Sequence, residues 1–159
     1  MKTNRKNTSL HDRKAILSTI WIFVVLNYLY CDVISLMDAD VLNEFLTGNA
    51  GGMQITQGFL LGAGLLMEIS ISMVLLSRVL NYRPNRWANI IAGTITTSVQ
   101  LLTLFVNTPS MYYLFFSVIE IAATAFIVWY AWTWRQPEVT PEADVASLPG
   151  KAAIQVGEN

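Results

Sequence analysis

Cysteine and histidine are nearly missing from this chain, and lysine and arginine are missing from most of its length. Cys31 is the only cysteine, which excludes an intramolecular disulfide and a CxxC thiol-redox centre. His11 is the only histidine and lies in a basic N-terminal segment, so no His-ligated haem and no His-based metal site is expected among the apolar segments. No cofactor and no metal is therefore expected. Charge is also scarce: 13% of the 159 residues are charged, where a soluble domain carries about a quarter. No small-x-small cleavage site follows the first apolar run, and that run is too long for a signal-peptide core. No internal repeat is present.

What is there in quantity is apolar sequence, 53% of the residues. The charges gather in the first 14 residues, three loops and the last 25, leaving four uncharged or nearly uncharged blocks at about 15–37, 54–77, 87–106 and 110–134. Each reaches the roughly 20 residues that a helix needs to cross a bilayer. The expected fold is all-α: a four-transmembrane-helix bundle at 15–135, with a basic lead-in at 1–14 and a disordered polar tail at 136–159. Residues 39–48 place Val41, Leu42, Phe45 and Leu46 on one side of a helix, with Asp40, Asn43, Glu44 and Thr47 mostly opposite. This predicts a short amphipathic helix lying along the membrane surface and ended by Gly48 and the Gly51-Gly52 pair. Pro84 stops the second span and starts the third. Trp87, Trp129, Tyr130, Trp132 and Trp134 read as one interfacial aromatic belt, and Tyr28, Tyr30, Tyr112 and Tyr113 as the other.

The distribution of charge predicts orientation. Lys2, Arg5, Lys6, Arg13 and Lys14 precede the first span, and Arg78, Arg83 and Arg86 separate the second from the third. The loop between the first two spans has only Asp38, Asp40 and Glu44. By the positive-inside rule both termini and the 78–86 loop are expected in the cytoplasm. So strong a bias also argues against insertion both ways up. Lipid headgroups are the expected surface partner of the arginine cluster, and no nucleic-acid partner is expected.

Two acids stand out. Glu68 is the only charged residue between Glu44 and Arg78, and Glu120 the only one between Arg86 and Arg135. A carboxyl group there costs on the order of 3 kcal/mol and marks a functional position by default. Residues at i, i+4, i+7 and i+11 share a helix face. That groups Gln57, Leu61, Gly64, Glu68, Ser72 and Leu75 on the second span, and Tyr113, Ser117, Glu120, Thr124 and Ala131 on the fourth. The third span gives Asn89, Gly93, Thr96, Gln100, Thr103 and Asn107, and the first gives Trp21, Tyr28, Asp32 and Ser35. In lipid, polar and small faces are expected to turn toward one another, with Gly58, Gly62, Ala63 and Gly64 allowing close approach. At 1.5 Å per residue, Asp32 lies about 7 Å from the outer boundary, Gln100 about 9 Å, Glu120 about 15 Å and Glu68 about 21 Å. The expectation is a vestibule open to the outside, with Glu68 and Glu120 at its floor and a tighter cytoplasmic half below. No span offers a Lys or Arg to pair with the acids. They are left with protonation, a bound cation, or hydrogen bonds from Gln100, Tyr113, Thr96 or Ser117.

The stretches Asn27–Asp32 (NYLYCD), Gln57–Glu68 (QGFLLGAGLLME) and Asn85–Gly93 (NRWANIIAG) together resemble a bacterial family of four-span membrane proteins known as a domain of unknown function. The layout is also loosely similar to DoxX-like four-helix membrane proteins. The resemblance implies a multi-pass protein of the bacterial inner membrane and supplies no catalytic residue. Three readings follow. The first is binding or translocation of a proton, a cation or a small amphiphile at Glu68, Glu120, Asp32, Gln100 and Tyr113; transport through so thin a bundle would call for a homo-oligomer. The second, ranked lower because no nucleophile–base pair or metal cluster is visible, is a small membrane enzyme using two carboxyls as acid and base on a lipid-like substrate. The third is an accessory subunit whose polar faces only hold it together.

Overall fold

The computed structural model describes residues 2–106 and 109–134. The polar tail at 136–159 and part of the turn before the fourth span lie outside the described residues. Among the described residues five helices follow one another: α1 (Lys2–Ser35), α2 (Ala39–Leu46), α3 (Gln57–Val79), α4 (Tyr82–Val106) and α5 (Met111–Trp132). Four of them are long and apolar enough to cross a membrane, over His11–Ser35, Gln57–Val79, Tyr82–Phe105 and Met111–Trp132. The chain is a four-helix membrane bundle. α1 begins at Lys2, so the basic N-terminal residues are helical.

Local sequence explains the boundaries. Thr56 caps α3, its hydroxyl oxygen accepting the Phe59 amide at 3.1 Å. α3 stops where Leu80 turns extended, and Pro84 sits in the first turn of α4, where its missing N–H leaves no bond unmade. The surface helix α2 starts at Asp38, whose carboxylate accepts the Asp40 amide at 3.1 Å, and none of its residues is buried.

One element goes beyond what the sequence suggested. Gly51 and Gly52 do more than end α2: both have positive φ, 55° and 76°. They form the tip of a hairpin joining β1 (Asn49–Ala50) to β2 (Met53–Gln54), with Asn49 opposite Gln54 and Ala50 opposite Met53. A tight hairpin turn of this hand needs positive φ at both central residues, which glycine adopts without steric cost. The Glu44 carboxylate accepts the Gly51 amide at 3.0 Å and ties the hairpin to α2.

In the bundle α1 packs against α3 and α5, and α4 packs against α5 and α3, closing a ring. α4 and α5 approach closely at Gly93. A Cβ added at Gly93 would lie 2.7 Å from Val128 Cγ2 and 3.4 Å from the Thr124 carbonyl oxygen. The apolar core gathers Leu17, Trp21, Val24, Met73, Ala92, Ile127 and Trp134. Trp134 thus leaves the expected aromatic belt: it is 1% exposed and meets Tyr82 edge-on at 5.2 Å, while Tyr82 donates its hydroxyl to the Trp134 carbonyl at 2.6 Å. Trp87, Trp129 and Trp132 remain exposed, as belt residues are.

Candidate functional site

The two ends of the bundle differ in chemistry and in packing. One end has the arginines and is closed. Asn89 is its hub: its side-chain oxygen accepts Trp21 Nε1 at 2.8 Å and Ser77 Oγ at 3.2 Å, and its amide nitrogen donates to Asn85 Oδ1 at 2.6 Å. Asn85 in turn donates to the Ser77 carbonyl at 2.6 Å. Ser18 donates to the Val74 carbonyl at 2.8 Å, and Arg78 Nε donates to the Ser18 hydroxyl at 3.0 Å. Arg13 lies over the Tyr130 ring, 5.0 Å from its centroid. Ser18, Ser77, Asn85 and Asn89 are all fully buried. This half is tight, as expected, but more polar than its sequence suggested. The side chains of Ser18, Ser77, Asn85 and Asn89 are matched to one another and to the backbone, whereas Arg13 Nη1, Arg86 Nε and Ser70 Oγ are buried without a partner.

The opposite end is open between the helices. A cavity of about 190 Å³ is lined by the polar side chains Tyr28, Cys31, Asp32, Thr96, Gln100, Tyr113 and Glu120. Ala63, Leu66, Met67 and Val99 complete its wall. α1 contributes Asp32 one turn before its end, and the side chain is exposed, so the cavity reaches the surface there. α5 contributes Glu120 nine residues into the helix, about 14 Å from the start of that helix at 1.5 Å per residue. Glu120 is 1% exposed, and its Oε1 is sealed from solvent with no hydrogen-bond partner. Buried polar atoms are nearly always paired, so an orphaned carboxylate oxygen at the floor of a cavity is the most informative atom in the molecule.

The surroundings of Glu120 are held in place without using its side chain. Gln100 Nε2 donates to Ser117 Oγ at 2.8 Å, and Tyr113 donates to Thr103 Oγ1 at 3.1 Å, both linking α4 to α5 around the cavity. Thr124 Oγ1 donates to the Glu120 backbone carbonyl at 2.8 Å and lies 2.7 Å from Thr97 Oγ1. Gln100 and Tyr113 therefore fix the walls, while Glu120 and Asp32 supply two carboxyl groups to the interior.

With this geometry in view, the chain can be placed among known proteins. A family model described as a family of unknown function, DUF6326, matches residues 7–141. The chain belongs to DUF6326. No curated protein and no solved structure matches it. The matched region contains all four spans and the cavity of this DUF6326 protein.

Four of the five residues expected to form one site are brought together: Asp32, Gln100, Tyr113 and Glu120. Glu68 is not. It is exposed on the face of α3 turned away from the bundle, where it accepts a hydrogen bond from Ser72 Oγ at 3.3 Å. The stripe through Gln57, Leu61, Gly64 and Glu68 is a true helix face, but it points outward. α3 turns Ser70, Met73 and Ser77 inward instead, and Leu66 and Met67 toward the cavity. Hydrophobic periodicity fails here for a physical reason: lipid is as apolar as a leucine core, so an apolar residue has no preference between the two. Tyr28, which the sequence placed on the polar face of the first span with Asp32 but not among the site residues, also lines the cavity.

Proposed function

We propose that this protein binds a small amphiphilic cation in the cavity above Glu120. The carrying observation is the orphaned, fully buried Glu120 Oε1 at the end of a cavity whose mouth has a second carboxyl, Asp32. Two acids in a cavity with no lysine or arginine among its lining residues complement a positive head group. Tyr28 and Tyr113 offer ring faces and hydroxyls, and Leu66, Met67 and Val99 suit an apolar body. Among the described residues no three His, Cys, Asp or Glu side chains are grouped as metal ligands, which favours an organic ammonium over a divalent ion. An engineered apolar cavity of about 150 Å³ takes up benzene. A space of about 190 Å³ therefore suits a ligand slightly larger. The closed arginine end supports binding over an open pore. With the arginines inside, the cavity opens outward from the bacterial inner membrane, and both termini lie in the cytoplasm.

The test uses the full chain in lipid nanodiscs and titrates benzylammonium against its neutral isostere ethylbenzene by calorimetry. Benzylammonium is expected to bind and ethylbenzene not to. Glu120→Gln raises Kd at least tenfold, and Asp32→Asn less. Equal binding of the two compounds, or binding unchanged in Glu120→Gln, overturns the reading. In a Cys31→Ser background, Met37→Cys, 78% exposed at the cavity end, reacts with an impermeant thiol reagent added to intact cells. Labelling of Arg83→Cys instead reverses the orientation.

A further inference from the structure

The cavity opens through the side of the bundle. Of its eleven lining residues only Asp32 and Ala63 are exposed, so the mouth lies between α1 and α3. Asp32 is three residues before the end of α1, about 5 Å inside it, and Ala63 is six residues after the start of α3, about 9 Å inside. The 23 residues of α3 span about 35 Å, a little more than the roughly 30 Å of hydrocarbon in a bilayer. Ala63 therefore lies within the hydrocarbon, and Asp32 close to its edge.

α3 leaves this opening because it covers the bundle along only part of its length. Ser70, Met73 and Ser77 are buried, whereas of the nine residues 57–65 only Phe59 is partly covered. A Cβ added at Gly62 or Gly64 meets nothing within 4 Å, and one at Gly58 meets only Thr56 Oγ1, from the helix's own cap, at 3.8 Å. Gly93, pressed against α5, is the contrasting case. The walls of the cavity also differ in chemistry. α3 contributes Ala63, Leu66 and Met67 and no polar group, while the polar side chains come from α1, α4 and α5. An apolar wall that runs along the cavity and ends at a mouth in hydrocarbon suits an alkyl chain rather than a column of water.

On the reading that a positive head group sits above Glu120, we infer that this mouth is a lateral portal and that the ligand is a long-chain ammonium amphiphile, its head in the cavity and its chain in the surrounding leaflet. Size calls for the portal. The cavity of about 190 Å³ is little larger than the roughly 150 Å³ that takes up benzene, which leaves no room for a long alkyl chain behind the head. Depth fits as well. An amphiphile dissolved in a membrane holds its charge at the interface, where Asp32 stands, and its chain at the level of Ala63. From Asp32 the head moves inward to Glu120, whose Oε1 has no partner. No part of the chain has to leave lipid on the way.

The experiment uses the full chain in lipid nanodiscs and titrates octyl-, decyl- and dodecylammonium by calorimetry, with benzylammonium alongside. Partitioning into protein-free nanodiscs is measured in parallel, so that each Kd refers to ligand already dissolved in lipid. A chain that stays in lipid contributes nothing to that Kd, and octyl- and dodecylammonium are expected to agree within about threefold. A chain drawn out of lipid would lose about fourfold in affinity per CH2, equivalent to about 0.8 kcal/mol, or roughly 200-fold over four of them. Ala63→Trp, which fills the mouth, is expected to raise the ratio of the dodecylammonium Kd to the benzylammonium Kd at least tenfold. The chain-length series needs no substitution, so it decides the matter even if Ala63→Trp folds poorly. Three results would overturn the portal and leave the head-group reading standing: a steep loss of affinity from octyl to dodecyl, benzylammonium binding without dodecylammonium binding, or an unchanged ratio in Ala63→Trp. Binding of neither benzylammonium nor dodecylammonium overturns both.

Discussion

Replacing Glu120 by leucine removes a buried carboxyl while keeping a side chain of comparable length. The bundle should become more stable, not less. Glu120 is 1% exposed and its Oε1 has no partner. A buried unsatisfied polar atom costs about 1–3 kcal/mol, and the substitution relieves that cost. The hydrogen bond formed at this residue, Thr124 Oγ1 to the Glu120 carbonyl at 2.8 Å, belongs to the backbone and survives. The Gln100–Ser117 and Tyr113–Thr103 bonds are likewise untouched. The expected gain is about 1–3 kcal/mol, which at roughly 2–4 °C per kcal/mol raises the melting temperature by several degrees. Reversible unfolding in mixed micelles, followed by far-UV circular dichroism and by thermal melting, measures it. Benzylammonium binding should disappear in the same variant. Stability gained while binding is lost is the signature of a group kept for a ligand rather than for the fold. A Leu variant destabilised by 1 kcal/mol or more would refute this reasoning and make Glu120 a structural bridge between helices.

Asn89→Leu should act in the opposite direction. It strands Trp21 Nε1 and Asn85 Oδ1 at the closed end, and the expected loss is about 2–4 kcal/mol in the same unfolding assay; a loss below 0.5 kcal/mol on the order of the average inter-helix bond in lipid would show that the network is dispensable. Gly93→Val should cost about 1–3 kcal/mol by overpacking α4 against α5, because the added Cβ falls 2.7 Å from Val128 Cγ2. Val128→Ala should recover most of that loss, and absence of recovery would place the strain elsewhere.

How much could be read without coordinates varies from residue to residue. The spanning helices were legible because length and hydropathy are properties of a segment, independent of its neighbours. The amphipathic α2 was legible because its two faces meet different media. The hairpin at 49–54 was not, since two-residue strands have no periodicity to detect, although the Gly51-Gly52 pair was its one available signal. Asp32, Gln100, Tyr113 and Glu120 were legible as polar residues on helix faces. Their convergence was an inference from those faces, and the cavity at Glu120 brings them together. Trp134 misled because a tryptophan near a helix end reads as interfacial, and only its contact with Tyr82 makes it core.

The two glutamates divide what the sequence determines from what tertiary structure decides. Sequence alone establishes that each sits mid-span, that neither has a cation in the membrane to pair with, and that each shares a helix face with small or polar residues. It establishes the membrane setting because the cost of burying a charge in hydrocarbon depends on depth, and depth follows from counting residues. It does not set the rotation of each helix about its own axis. In water that angle is imposed by the hydrophobic effect. In lipid it is set by which surfaces fit and which hydrogen bonds close, here the Asn89 hub and the Gly93 contact. Those contacts turn Glu120 inward to the cavity and leave Glu68 facing out.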